Sequence, residues 1–244
     1  PLAMANSPNS TNGASLSANT DRGVRVSEPL RFPDKRSREE ARAYFQPFLK
    51  YFRGRHAVVD VACGQGHFLE LLKEAGVEGV GVEVDAELCA VCREKGLPVI
   101  HDDLFVHLRS VAPGTYDAAH VSHIIEHLPP PQVAELFRLL HRILPPGAPM
   151  VVLTPNIANL HQVAGYFWHE PTHVRPYPIA AISKLLQATG WEVIESGEHQ
   201  RRSPSLLQRI KYRIRNVLIG RYWCGDSVYV IARRAEDLPP HLRR

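Results

Sequence analysis

Val58-Val59-Asp60-Val61-Ala62-Cys63-Gly64-Gln65-Gly66 is the stretch whose reading decides the fold. A run of β-formers ends around an acid, and a glycine-rich turn then opens onto the helical pattern His67-Phe68-Leu69-Glu70-Leu71-Leu72-Lys73. A strand, a tight loop and a helix start let backbone N–H groups approach a ligand closely. The next strand pattern, Gly79-Val80-Gly81-Val82-Glu83, ends in an acid placed about 20 residues on, where a ribose hydroxyl needs an acceptor. The pair of strands implies a ligand that carries a ribose.

The loop also excludes ligands. A dinucleotide fingerprint needs a third glycine three residues after the second, and that position is Leu69. No Gly-Lys-Ser/Thr follows, which removes the triphosphate cradle. Asp60 repels phosphate and suits a cation. S-adenosylmethionine, with a sulfonium, an amine, a ribose and no phosphate, meets these conditions.

Further motifs follow in order: Ile100-His101-Asp102-Asp103-Leu104, then Ser122-His123-Ile124-Ile125-Glu126-His127-Leu128, then Leu144-Pro145-Pro146-Gly147 through Leu153-Thr154-Pro155-Asn156. With these the chain resembles the class I S-adenosylmethionine-dependent methyltransferases over roughly residues 37–234. The resemblance implies a Rossmann-like, seven-stranded, mostly parallel sheet with helices on both faces and an antiparallel last strand. It implies that Asp60 receives the methionine amine, that Ala62, Cys63, Gly64 and Gly66 pass against the methionine part, and that Glu83 takes both ribose hydroxyls. Val84 and Ser122 fall beside the cofactor. Asp103 takes the adenine amino group and the Leu104 N–H a ring nitrogen, with Asp102 solvated or capping. Ala62 and Ala148 stand where the family commonly has glycine.

At 244 residues and 44% hydrophobic content the chain can bury one sizeable core, and no repeat argues for a second domain. Residues 1–28, rich in Ser, Asn, Thr and Gly without a periodic apolar face, read as a disordered segment. Residues 29–236 read as one methyltransferase domain and 237–244 as a tail. The net charge of +4 is mild, so specific nucleic-acid binding is not expected. Four cysteines form no disulfide framework in a chain of this length, and the Cys89/Cys92 pair reads as core packing. No apolar run is long enough to span a bilayer and no leader-like apolar region opens the sequence, so the expectation is a cytoplasmic protein.

Alternating apolar runs and helical patterns predict strands near 57–62, 79–84, 98–101, 116–122, 149–154, 191–197 and 227–233. Helices are predicted near 67–75, 86–95, 130–143, 178–189 and 204–218. An earlier helix begins at Ser37, whose spacing to Glu40 makes a capping box, and Asp85 is positioned to cap the helix after it.

A hydroxyl must lose its proton as it attacks a methyl donor, and histidine is the side chain poised near neutral pH to accept it. His127 and His173 are the candidate bases, with Glu126 beside them. His169-Glu170-x-x-His173 fits a zinc-protease string, but Pro171 opposes the helix that string requires. His123-x-x-Glu126-His127 fits the inverted string, but it ends a strand and runs into Pro129-Pro130-Pro131. Ile125-Glu126-His127-Leu128 is similar to a segment of ubiquinone-pathway O-methyltransferases in which an acid three residues before the Glu helps hold a divalent ion. His123 occupies that place here, so a metal is not favoured.

Phe167-Trp168-His169-Glu170-Pro171-Thr172-His173-Val174-Arg175-Pro176 resembles a bacterial group associated with surface-glycan assembly. That resemblance makes Asn156, Arg175 and Tyr177 acceptor contacts, while Phe167 and Trp168 are aromatics suited either to stack on a sugar face or to pack beneath the loop. The basic amphipathic segment 206–218 reads as a helix packed on the sheet between the last two strands, with contact to anionic lipid headgroups or a phosphate-bearing acceptor as the alternative. The expected activity is O-methylation of a sugar or glycan hydroxyl. O- or N-methylation of another small molecule, RNA methylation through the basic helix and a non-catalytic cofactor-binding regulator are the rivals. Oligomeric state is left open.

Overall fold

The structure, a computed structural model, describes residues 37–200, 206–219 and 225–236. The predicted segment 1–28, the tail 237–244 and Cys224 lie outside the described residues. Seven strands form one sheet: β1 Val58–Val61, β2 Gly79–Glu83, β3 Val99–His101, β4 Ala118–Ser122, β5 Pro149–Pro155, β6 Trp191–His199 and β7 Ser227–Arg234. Their order is β3-β2-β1-β4-β5-β7-β6. β1 to β5 pair in parallel, while β7 inserts antiparallel between β5 and β6, as expected for the last strand.

Eight α-helices are described: α1 Arg38–Phe45, α2 His67–Glu74, α3 Ala86–Glu94, α4 Leu104–Ser110, α5 Pro130–Ile143, α6 Leu160–Gly165, α7 Ile179–Ala188 and α8 Leu206–Ile219. α4 and α6 are absent from the sequence expectation. The α1 capping box forms in both directions, with Ser37 Oγ accepting from the Glu40 N–H at 3.2 Å and Glu40 Oε2 accepting from the Ser37 N–H at 3.0 Å. Asp85 caps α3 through the Glu87 and Leu88 amides.

β1 is buried along its whole length, which is why Val58, Val59 and Val61 show no polar alternation and the one acid, Asp60, is itself buried. Helices cover both faces. On one face Tyr44, Phe45, Phe48 and Phe52 from α1 and the turn after it pack on Phe68 and Leu72 of α2. On the other, Leu136, Phe137 and Leu140 of α5 pack with Ile182 and Leu186 of α7. Each such side chain contributes about 1.5–3 kcal/mol by leaving water. Cys89 and Cys92 are buried, in line with a packing role.

His141 on α5 is a titratable group enclosed by this core. It is buried beside Trp191, and its Nε2 finds no hydrogen-bond partner among the described residues. Burial, helped by the Arg234 charge, pushes its pKa from 6.5 down to about 4. The unfolded chain therefore takes up a proton on His141 before the folded chain does. Stability from this residue is complete above pH 6.5 and is lost as pH falls toward 4, by up to about 3 kcal/mol. Urea melts should accordingly show His141→Met losing less stability than the parent over that window; parallel slopes would contradict the assignment.

Candidate active site

The carboxyl ends of β1, β2, β4 and β5 share one edge of the sheet, and the quoted motifs converge there. The loop after β1 is held from several sides. Glu83, at the end of β2, accepts from the Gly64 N–H through Oε2 at 2.9 Å, and from the Val84 and Asp85 amides through Oε1 at 2.9 and 3.0 Å. The Cys92 thiol donates to the Gly64 carbonyl at 3.3 Å, and Lys95 donates to the Gln65 carbonyl at 2.8 Å.

The two loop glycines serve different ends. Gly64 has φ +55° and open space where a Cβ would stand, which leaves room for a ligand against the backbone. Gly66 has φ +75°, and a Cβ there would lie 2.6 Å from Leu97 Cδ1. The close approach of Leu97 and Cys92, with the positive φ, gives Gly66 a packing reason beside the expected passage of the methionine part. Ala62 holds φ +53°, the left-handed region that favours glycine, so its departure from the family pattern carries a conformational cost of about 1–2 kcal/mol.

Asp60 and Glu83 are both buried. Asp60 Oδ1 accepts from His120 Nδ1 at 2.7 Å across the β1/β4 pair, where the two residues are in register. His120 stacks on Phe68 with centroids 3.8 Å apart, and its Nε2 is buried without a partner among the described residues. The sequence reading missed His120. Its available signal was its place on the strand beside β1, level with Asp60.

These residues fit S-adenosylmethionine: a buried carboxylate for the amine, open space over Gly64, an acid at the end of β2, and the buried Ser122 Oγ at the end of β4 without a partner among the described residues. Two expected roles change. Three of the roughly four acceptor directions of Glu83 are filled by amides, so a ribose diol would displace at least one of them. Asp103 caps α4, its Oδ1 accepting from the Phe105 and Val106 amides at 2.9 and 3.0 Å, while Asp102 Oδ1 accepts from the Asp103 N–H. The capping role assigned to Asp102 thus belongs to Asp103, which leaves Asp103 Oδ2 for an adenine amino group. Leu104 opens α4, and Val84 is exposed at the mouth of the loop.

Beyond β4, Glu126 is fully buried. His123 Nδ1 lies 3.2 Å from its Oε1, and Thr154 Oγ1 donates to its Oε2 at 3.0 Å. Burial pushes the Glu126 carboxyl upward, but the hydrogen bond from His123 and the nearby imidazoles outweigh it, so the pKa ends below the usual range. His123 adopts φ +54°, a strained conformation for a side chain of this kind. Its Nε2 is 3.0 Å from the Tyr44 hydroxyl, which also donates to Ser227 Oγ at 2.9 Å. The Glu126–His123–Tyr44 chain is a second feature that the sequence reading did not assemble.

The Glu126 carbonyl accepts from the Val174 and Arg175 amides at 2.9 and 3.1 Å, which seats the 170–176 loop against this turn. His127 and His173 meet there with ring centroids 4.7 Å apart. His127 Nδ1 donates to the Thr172 carbonyl at 3.3 Å, and its Nε2 lies 3.8 Å from Glu170. Burial drives the His127 pKa below its ordinary value, and the Glu126 charge only partly opposes this. His173 Nδ1 donates to the Phe167 carbonyl at 2.6 Å, and the ring stacks on Phe167. Residues 167–169 form a short 3-10 turn rather than the helix a zinc-protease string needs.

Donor atoms of Glu126, His127 and His173 lie within 4.8 Å of one another, a spacing that admits a metal ion. An ion would have to take Glu126 from His123 and Thr154, both of which already bond it.

Of the three predicted acceptor contacts, two are spent inside the fold. Asn156 is buried, its amide donating to the Gly225 carbonyl at 2.9 Å and its Oδ1 accepting from the Ala158 N–H at 3.0 Å. Tyr177 is buried with its hydroxyl on the Leu128 carbonyl at 2.7 Å. Arg175 is exposed and remains available. Phe167 is buried, whereas Trp168 is 58% exposed. A cavity of about 600 Å³ opens at the opposite edge of the sheet, near His56, Lys73, Glu78 and Tyr116, and none of the predicted site residues lines it.

A sheet in this strand order, with a glycine turn after β1 and an acid closing β2, is the frame of the class I S-adenosylmethionine-dependent methyltransferases. The chain matches the methyltransferase domain family over residues 34–196 and belongs to it. It is similar to a SAM-dependent methyltransferase from Archaeoglobus fulgidus, with a TM-score of 0.68 and 26% identity, covering 81% of this chain and 95% of that one. It shares its fold with a magnesium protoporphyrin IX methyltransferase from Synechocystis PCC 6803 with SAH bound, at a TM-score of 0.55 and 15% identity, covering 81% of this chain and 83% of that one. A ubiquinone biosynthesis O-methyltransferase from Methylococcus capsulatus is 32% identical over 108 residues, 42% of this chain and 44% of that protein. The chain thus spans less than half the length of that curated relative.

Two substitutions test the cofactor loop. Glu83→Ala should weaken binding of S-adenosylhomocysteine at least about tenfold by calorimetry, since both a ligand acceptor and the anchor of the Gly64 amide are lost. Ala62→Gly should raise stability in urea by up to about 1 kcal/mol by relieving the left-handed backbone.

Proposed function

We propose that the protein binds S-adenosylmethionine over the Gly64 loop and methylates a hydroxyl of a small-molecule or glycan acceptor, a sugar hydroxyl being the favoured target, in the cytoplasm. Asp60, Ala62, Cys63, Gly64, Glu83, Val84, Asp103, Leu104 and Ser122 form the cofactor side. When bound, the cofactor supplies a methyl group activated by a sulfonium. The observation that carries the reading is the cluster of Glu126, His127 and His173 beyond β4, at the same sheet edge as the cofactor loop.

His127 is the base in this reading. With Nδ1–H on the Thr172 carbonyl, its neutral tautomer keeps the lone pair on Nε2, and its depressed pKa keeps it neutral at physiological pH. The buried Glu126 carboxylate stabilises the imidazolium formed when the acceptor's proton arrives. His173, stacked on Phe167 and bonded to its carbonyl, positions the loop that carries Thr172 and Glu170. The exposed Trp168 offers a flat apolar face to a sugar, and exposed Arg175 a donor for its oxygens.

A phenolic hydroxyl is the second reading, favoured by the relative named as a ubiquinone biosynthesis O-methyltransferase. A phenol with a pKa of about 10 ionises more readily than a sugar hydroxyl and leans less on a base. Labelled-cofactor assays against pools of both acceptor types therefore discriminate twice, by product and by dependence on His127. For a sugar acceptor, His127→Ala should lower kcat about a hundred- to ten-thousand-fold. In the parent, kcat/KM should rise with pH along a limb centred below 6.5, because the base must be unprotonated and its pKa is lowered. That limb should vanish in the variant, and its persistence would transfer the role to another group.

A further inference from the structure

We propose that α8 is a docking helix for an anionic membrane surface. Every α8 side chain whose burial is described is exposed, and five of these are large and apolar: Leu206, Leu207, Ile210, Ile214 and Val217, with 49–83% of their surface open. This reverses the expectation that the stripe packs on the sheet. Projected at about 100° per residue, the five fall within an arc of about 100°, with Lys211 about 40° beyond one margin and Arg213 about 20° beyond the other. An apolar face bordered by cations on both sides is the pattern of a helix lying in the headgroup plane, its long basic side chains reaching up to phosphates.

Charge selects the occupant. Between Glu198 and Asp226 the sequence holds seven Lys and Arg and no acid. A second copy of the chain would set cationic margins beside cationic margins, with no acid on the helix to pair them. Single-stranded nucleic acid would use the cations but leave the aliphatic face in water. An anionic bilayer uses both features. The sequence following the helix, Arg221-Tyr222-Trp223, adds residue types that favour the same interface.

The topology gives the contact a consequence. α8 lies between the end of β6 and the start of β7, where His199 pairs with Ser227, and Ser227 also pairs with Pro155 at the end of β5. It is therefore inserted at the sheet edge that holds the candidate site.

Flotation of the full chain with vesicles tests the proposal. The chain should float with vesicles in which a third of the lipid is phosphatidylglycerol and not with pure phosphatidylcholine, and high salt should weaken the association. Ile210→Asp/Ile214→Asp and Lys211→Glu/Arg213→Glu should each lower partitioning at least about tenfold. Both change exposed side chains only, and S-adenosylhomocysteine calorimetry should give parental affinity, which separates loss of docking from loss of the cofactor site. Absence of flotation, equal flotation of the aspartate variant, a dimer in sedimentation that this variant dissociates, or salt-sensitive binding to single-stranded RNA in place of lipid would each overturn it.

Discussion

The buried charge of Glu126 is the constraint on which the β4–β5 end of the sheet and the 170–176 loop rest. An ionised carboxylate without water needs partners for both oxygens, and here they come from two strand ends, His123 after β4 and Thr154 on β5. Its backbone carbonyl takes two amides of the 170–176 loop. One residue thus joins β4, β5 and a loop that is remote in sequence. The strained backbone of His123 is intelligible in these terms, since the bonds to Glu126 and Tyr44 hold its ring in place against a local cost of about 1–3 kcal/mol.

Glu83 plays the parallel part on the cofactor side, with a different margin. Its bonds go to backbone amides of its own turn and of the loop after β1, so the loop is preorganised before any ligand arrives. Asp60 is likewise half committed, to His120, in a cage of Phe45, Phe52 and Phe68. An incoming ammonium at Asp60 would meet a carboxylate whose orientation is already fixed by an imidazole, which lowers the ordering cost of binding. The His120 Nε2, without a partner among the described residues, costs about 1–3 kcal/mol, the other side of that arrangement.

The framework was legible because parallel strands buried on both faces write themselves as apolar runs between helical periods, and seven of seven strands lie within two residues of their expected ends. α4 escaped because its seven residues are too short for a clear period, and its cap, Asp103, follows a second acid that offers the same capping chemistry. Asn156 and Tyr177 look like donors awaiting a substrate, but sequence does not reveal that a polar group is already spent on Gly225 or Leu128 carbonyls far along the chain. Assembly of Tyr44, His123 and Glu126 depends on α1 reaching over the end of β4, a tertiary fact with no local pattern. The stripe of α8 was read correctly as amphipathic, while the direction of its apolar face was not.

A division of labour follows from where the chain leaves the sheet. On the β1–β3 side the connections at the carboxyl edge are short, and their polar groups are taken up by loop, cap and neighbouring helix, which suits an invariant cofactor. On the β4–β7 side two long excursions, 156–178 and 200–226, leave from that same edge. They carry the exposed Tyr166, Trp168, Val174 and α8 apolar surface. Exposed apolar groups concentrated on two neighbouring excursions are costly in water unless something covers them. In the proposed function these excursions would face the acceptor, and exchange of one set for another would leave the Glu83 clamp and the Glu126 hub untouched.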